Sequence, residues 1–295
     1  PDLSPEDLSS LAGWIRAQAV PVIGVGKADE KLADCFDVVV DSAPDLQAVV
    51  EGIDANPNAA AVLVQVLRSC EQIDPLQALT LESLGYATLQ AGPEFAAWLA
   101  GRRQQKAARV VAERADLVVI ERLEPALSIL LNSPDTRNSL SAAMRDGLTS
   151  AFRLVAMDPG IQAVTVSAAG PSFCTGGDLE EFGLVENPVA AHHIRMLRMP
   201  ARYLVPNAER YHFKVHGACI GAGIELPAFA GHLSAAADAV FRLPEVGMGL
   251  IPGAGGCVSI PRRIGRQRTA FMALTGCDVG AEDALAWGLI DTIDG

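Results

Sequence analysis

Positive charge is what this sequence has little of. Its 23 Lys and Arg residues face 35 Asp and Glu, for a formal charge of −12 and a pI near 4.8. Nucleic-acid backbones and anionic membranes are met by clustered positive surface, so this balance excludes both partners; a small anionic ligand in a local field stays open. Long apolar runs are missing too. Ala59–Leu67, the longest nearly uncharged run, is about half of what a bilayer crossing requires. No basic-then-apolar signal segment opens the chain, which starts at Pro1 rather than Met. The cysteines (Cys35, Cys70, Cys174, Cys219, Cys257 and Cys277) include no CxxC pair, which argues for reduced core residues rather than a disulfide or zinc framework. His192-His193 and the single His212, His216 and His232 lack metal-ligand spacing. No P-loop GK[ST] exists, and Gly217–Gly223 lacks the third glycine of a dinucleotide fingerprint. The expectation is a soluble cytoplasmic protein without metal, redox cofactor, nucleic acid or membrane.

What is there is an alternation of helix and strand patterns, hence an α/β class. Pro21–Val25 and Asp37–Val40 are short β-branched runs that read as strands. A helix is expected over Asp45–Ala55, capped by Asp45 and stopped at Asn56-Pro57, with Ala60–Leu67 following as a buried strand. Residues 75–115 read as helical with a break at Gly92-Pro93, and the basic run Gly101–Arg114 as a solvated face or connector. A second cycle opens with a strand pair, Leu117–Ile120 and Ala126–Leu131, then a turn at Asn132–Arg137. Ser139 is the expected cap of a helix to Met157, Asp158-Pro159 its end, and Ile161–Ser167 the next strand. Setting Pro57 on Pro159 aligns Leu46 with Leu148, Ala61 with Ala163, Val62 with Val164 and Val64 with Val166, a weak internal repeat.

The two cycles differ in the loop after the strand. Leu67-Arg-Ser-Cys-Glu71 has no glycine, whereas Ala168 leads into Ala-Gly-Pro-Ser-Phe-Cys-Thr-Gly-Gly-Asp-Leu179. A second glycine-rich turn, His216-Gly-Ala-Cys-Ile-Gly-Ala-Gly-Ile-Glu225, also joins an apolar strand to a helix start, and Leu243-Pro-Glu245 precedes a third, Ile251-Pro-Gly-Ala-Gly-Gly256. Such turns leave N–H groups free where the helix dipole adds positive potential, and two of them facing one point would hold an oxyanion. Glu225 lies among Ile224, Leu226, Pro227 and Ala228, a place for a charge only if it has a task or a partner. Cys174 reads as a nucleophile or, more commonly, a core thiol.

These residues carry a family resemblance over Asp116–Asp294. Arg137-Asn-Ser-Leu140, Phe173–Leu179, Gly217–Glu225, Phe241–Gly256 and Ala281–Ile290 resemble, in order and spacing, five segments of the crotonase (enoyl-CoA hydratase/isomerase) superfamily. The resemblance implies a spiral of stacked ββα units, here behind a helix-rich N-terminal extension, with residues 1–115 as extension or degenerate half-repeat and 116–295 as catalytic domain. It implies an oxyanion hole from the N–H groups of Gly177 and Ala222, a water-activating Glu225, and Glu245 as acid at the α-carbon. Arg137, Asn138, Ser139, Leu140, Thr175, Gly176, Asp178, Leu179 and Gly221 are the implied substrate contacts. Coenzyme A is then part of the substrate rather than a cofactor, and a homo-oligomer (trimer or dimer of trimers) is implied.

The expected reaction is hydration of a 2-enoyl-CoA. The rivals are a Δ3-Δ2 isomerase, a ring-opening hydrolase, a cofactor-free arylacetyl-CoA dioxygenase and a non-catalytic acyl-CoA-binding scaffold. Arg262, Arg263, Arg266 and Arg268 read as a subunit contact or solvated face, with a phosphate contact as the alternative. The extension is expected to pack on the catalytic half or on a neighbouring subunit and contribute no oxyanion donor.

Overall fold

Five prolines organise the N-terminal third as helix starts. Pro5, Pro44, Pro57, Pro75 and Pro93 each lie in the first turn of a helix, where a missing N–H costs no intrahelical bond. The computed structural model describes residues 4–26, 30–104 and 116–294. Its first part comprises α1 (Pro5–Arg16), β1 (Ile23–Val25), α2 (Glu30–Ala33), β2 (Val38–Val40), α3 (Ala43–Ala55), α4 (Pro57–Cys70), α5 (Pro75–Gln90) and α6 (Pro93–Gln104). The helix expected at Asp45 starts earlier: its cap is Ser42, whose Oγ accepts the Asp45 N–H at 3.1 Å.

Ala60–Leu67 is helix, not strand. Pro57 opens α4 instead of separating two elements, three consecutive alanines favour the helix, and Ala59, Ala60, Leu63, Val64, Val66, Leu67 and Cys70 are all buried. A short apolar run surrounded by core carries no period that separates the two conformations. The alignment of Pro57 on Pro159 therefore sets a helix against a strand, and the half-repeat loses its basis. The helical reading of 105–115 lies outside the described residues.

From Val118 onward a sheet organises the chain. The elements are β3 (Val118–Leu123), β4 (Ala126–Leu131), α7 (Ala142–Met157), β5 (Ala163–Ala168), α8 (Pro188–Arg198), α9 (Ala201–Leu204), β6 (Tyr211–Val215), β7 (Ala218–Ile220), α10 (Ala222–Glu225), β8 (His232–Ala236) and β9 (Val240–Arg242). The chain continues through α11 (Gly256–Ile264), α12 (Arg266–Thr275), β10 (Val279–Gly280), α13 (Ala281–Trp287) and β11 (Thr292–Asp294). The main sheet has the order β11-β8-β6-β5-β4-β3, parallel except for the β3–β4 hairpin; β10-β9-β7 form a second, smaller sheet. Ser141, not Ser139, caps α7 by accepting the Met144 N–H.

One apolar core continues from the first part into the second: Val49, Leu63, Leu67 and Leu79 belong to the same cluster as Ile129, Phe213, Ile224 and Ile260. Arginines reinforce the join. Arg262 donates to the carbonyls of Cys70 and Ile73, both at 3.1 Å, and Arg266 to those of Asp34 and Phe36. Asp37, 1% exposed, pairs with both Arg68 and Arg266. Arg263 caps the carbonyls of Ala228 and Ala230, and Arg268 stacks on Trp287. Arg263 and Arg266 are thus internal staples, whereas Arg262 and Arg268 remain exposed. Among the described residues no helix is long and apolar enough to cross a membrane.

Candidate active site

Two glycine turns are joined edge to edge. The loop after β5 lies along β7: Phe173 N–H donates to His216 O, Cys174 N–H to Ala218 O, and Ile220 N–H returns to Cys174 O at 3.0 Å. The approach demands glycine. A Cβ on Gly223 would lie 2.2 Å from Cys174 O, and Gly176, at φ +86°, faces Ile220 O. On the other side Leu140 N–H donates to Gly176 O at 2.7 Å and Asp178 N–H to Leu140 O, which fixes the Gly177 peptide. Neither the Gly177 nor the Ala222 N–H meets a protein acceptor among the described residues. Ala222 is the first residue of α10, so its N–H has no intrahelical partner.

Two carboxylates converge beside these donors. Gly221 (φ +51°) is approached by Oε1 of both Glu245 and Glu225: a Cβ there would be 2.4 Å from the first and 3.7 Å from the second. Glu225, 2% exposed, spends its Oε2 on the N–H groups of Ala254 (2.7 Å) and Gly256 (2.9 Å), leaving Oε1 toward Gly221. Glu245 Oε2 is buried with no hydrogen-bond partner among the described residues. Burial pushes Glu225 up to about 7, against the pull of the backbone N–H groups around it. Glu245 is also raised well above the ordinary carboxylate range, by burial first and then by the charge of Glu225. Two buried carboxyls that oppose each other's ionisation favour one protonated and one charged member, which can act as acid and base. Cys174 is buried and its thiol pushed up to about 12, which removes the thiolate a nucleophile needs.

A third glutamate reaches the same loop. Glu82 of α5, 2% exposed, accepts the N–H groups of Gly255 and Cys257, each at 2.8 Å. One helical turn on, the Tyr86 ring packs on Gly253 and carries the Arg195 guanidinium 4.4 Å above it. Arg195 is held by Ser83 Oγ (2.9 Å) and Gln90 Oε1 (3.0 Å), and Ser83 Oγ also meets His192 Nδ1. The sequence analysis missed this group. Its only signal was spacing: Glu82 shares a helix face with the apolar Ala78, Leu79 and Tyr86.

Residues 123–295, more than half of the chain, match the family model described as Enoyl-CoA hydratase/isomerase. The chain belongs to that family. It is similar to mevalonyl-coenzyme A hydratase of Aspergillus fumigatus, 31% identical over 57% of this chain and 62% of the fungal protein. It is likewise similar to 2,3-dehydroadipyl-CoA hydratase of Escherichia coli, 28% identical over 60% of this chain and 68% of that protein. Among solved structures, enoyl-CoA hydratase from Thermoplasma volcanium superposes with a TM-score of 0.55 at 29% identity, covering 60% of this chain and 71% of that one. The chain spans less than two thirds of the fungal hydratase's length. Helices α1–α6, and with them Glu82 and Tyr86, lie outside the residues that match the family model.

Around that framework, most of the residues expected to contact substrate come together. A cavity of about 550 Å³ is lined by Arg137, Ser139, Thr175, Gly177, Asp178 and Leu179, with Arg102 from α6. Leu140 borders a neighbouring cavity of about 350 Å³, also lined by Tyr86, Phe95, Phe182 and Arg195. Gly176 and Gly221 shape the turns instead. Asn138 stands apart: fully buried, its side chain accepts the Ser133 N–H and donates to the carbonyls of Ala169 and Ser172, so it ties the loop together. A roomier cleft of about 840 Å³, with Arg16, Arg68, Arg266 and Arg268, lies at the join of α12 with the first part and involves none of these residues. No three His, Cys, Asp or Glu side chains are grouped as a metal site among the described residues.

Proposed function

We propose that this protein hydrates a 2-enoyl-CoA thioester to the 3-hydroxyacyl-CoA. The observation that carries the reading is the meeting of two buried carboxyl groups, Glu225 and Glu245, at Gly221, beside the unpaired N–H groups of Gly177 and Ala222. As water adds at the β-carbon, the thioester carbonyl becomes an enolate. The Gly177 and Ala222 N–H groups receive its oxygen in a dry site, where fixed donors act most strongly. Glu225 Oε1 takes a proton from the water whose oxygen forms the new C–O bond, and Glu245 delivers a proton to the α-carbon. The cleft at Arg137 and Thr175 suits the CoA portion, and the cavity at Tyr86 and Phe182 the acyl portion. By family analogy the active form is a trimer or dimer of trimers, which light scattering on the purified protein tests.

The deciding assay offers crotonyl-CoA and a bulky aromatic 2-enoyl-CoA and follows loss of the conjugated thioester absorbance. Turnover of either supports the hydratase. Thioester binding without any turnover would overturn the hydratase reading.

A further inference from the structure

The start of α11 is gripped by two carboxylates from distant parts of the chain, in alternation. The N–H groups of Ala254 and Gly256 go to Glu225 Oε2, while those of Gly255 and Cys257 go to Glu82 Oε1 and Oε2. Four successive amides that would otherwise lack acceptors are thereby shared between the family domain and α5. Because Glu82 fixes the alternate pair, the loop cannot rotate its other two amides off Glu225, and Glu225 Oε1 stays aimed at Gly221. We propose that Glu82 is a positioning residue for the Glu225–Glu245 pair, holding through the amides of Gly255 and Cys257 the loop that orients Glu225.

The groups that face this cluster come from every element packed on it: Glu225 of α10, Glu245, Cys257 of α11, Cys70 of α4, Tyr86 of α5 and Arg195 of α8. Burial pushes both thiols and the phenol up, so they stay uncharged; Arg195 is the cation of the set. Glu82 itself is raised by burial and by Glu225, and lowered by its two amides and Arg195. The three carboxyls therefore titrate as one set, in which each proton lost makes the next harder to lose.

This inference rests on Glu225 and Glu245 being the reacting pair, so its test has one readout that needs no turnover. In protein labelled with 13C at glutamate side-chain carboxyls, the Glu245 carbon of Glu82→Gln should titrate about one pH unit lower than in wild type. The alkaline limb of the kcat profile should move with it, while kcat falls roughly 10- to 100-fold and KM changes little. Glu82→Asp keeps the charge but shortens the reach, so it should restore the alkaline limb without restoring kcat. A folded Glu82→Gln protein with wild-type carboxyl titrations overturns the proposal. If neither variant folds, wild type decides: a stepped Glu245 curve that follows Glu82 supports it, and a single independent step overturns it. Absence of turnover with the carboxyl coupling intact removes the hydratase reading and leaves the coupling standing.

Discussion

A carboxyl group held in the interior favours its protonated form, and three such groups crowd the centre of this protein. For Glu225, raised to about 7, the folded state binds more protons than the unfolded state between the unperturbed carboxylate range and pH 7. Its contribution to stability is fully present below that window and lost as pH rises through it; Glu82 and Glu245, raised chiefly by burial, add a loss of the same sign. Thermal unfolding should accordingly show a higher Tm near about pH 5 than near about pH 8. Glu245→Gln should flatten that slope; an equally steep slope would show that these carboxyls are not the source. In turnover, Glu225→Gln and Glu245→Gln should each lower kcat by two orders of magnitude or more while thioester binding persists, the scale of a lost acid or base. Cys174→Ser should stay active, and an inactive but folded variant would restore the thiol as nucleophile. Glu225 was legible in the sequence because a charge flanked by Ile224 and Leu226 is conspicuous. Glu82 was not, since a lone acid between Leu81 and Ser83 in a helix reads as its wet side until the opposing helix is known.

Elements were legible where their ends carry chemistry of their own. The strand pair after Asp116, the glycine turns at Gly176 and Gly221 and the end of α7 at Asp158 emerge close to where turn residues put them. Helix α4 did not, because Pro57 signals a stop as readily as the first turn that its missing N–H also suits. The same tolerance supplies a test on α10. Ala222 is that helix's first residue, so Ala222→Pro removes the N–H proposed for the thioester oxygen at a position where proline fits. Its kcat should fall about 10²- to 10³-fold with the fold preserved by circular dichroism. Unchanged kcat would assign the oxygen to other donors.

At the scale of the molecule, the helical first part and the sheet-bearing second part share a core, so neither has a complete interior alone. A chain shortened to residues 116–295 would expose the faces of α11 and α12 that α3, α4 and α5 cover, and leave the amides of Gly255 and Cys257 without acceptors. It should aggregate or lose turnover; a soluble, fully active fragment would make the first part a separate module. Packing of α3, α4 and α5 on the rest was foreseeable from their apolar patterning, but the acid they insert was not, because a contact across 173 positions leaves no local trace. That separation has a consequence in time. At about 5–20 residues per second of synthesis, the side chain of Glu82 emerges roughly 10–35 s before the amides it will hold. For that interval α5 must keep a carboxylate hydrated on the face that later becomes interior. The loop at 254–257 therefore dries this carboxyl cluster only once it meets α5, a late event in the maturation of the chain.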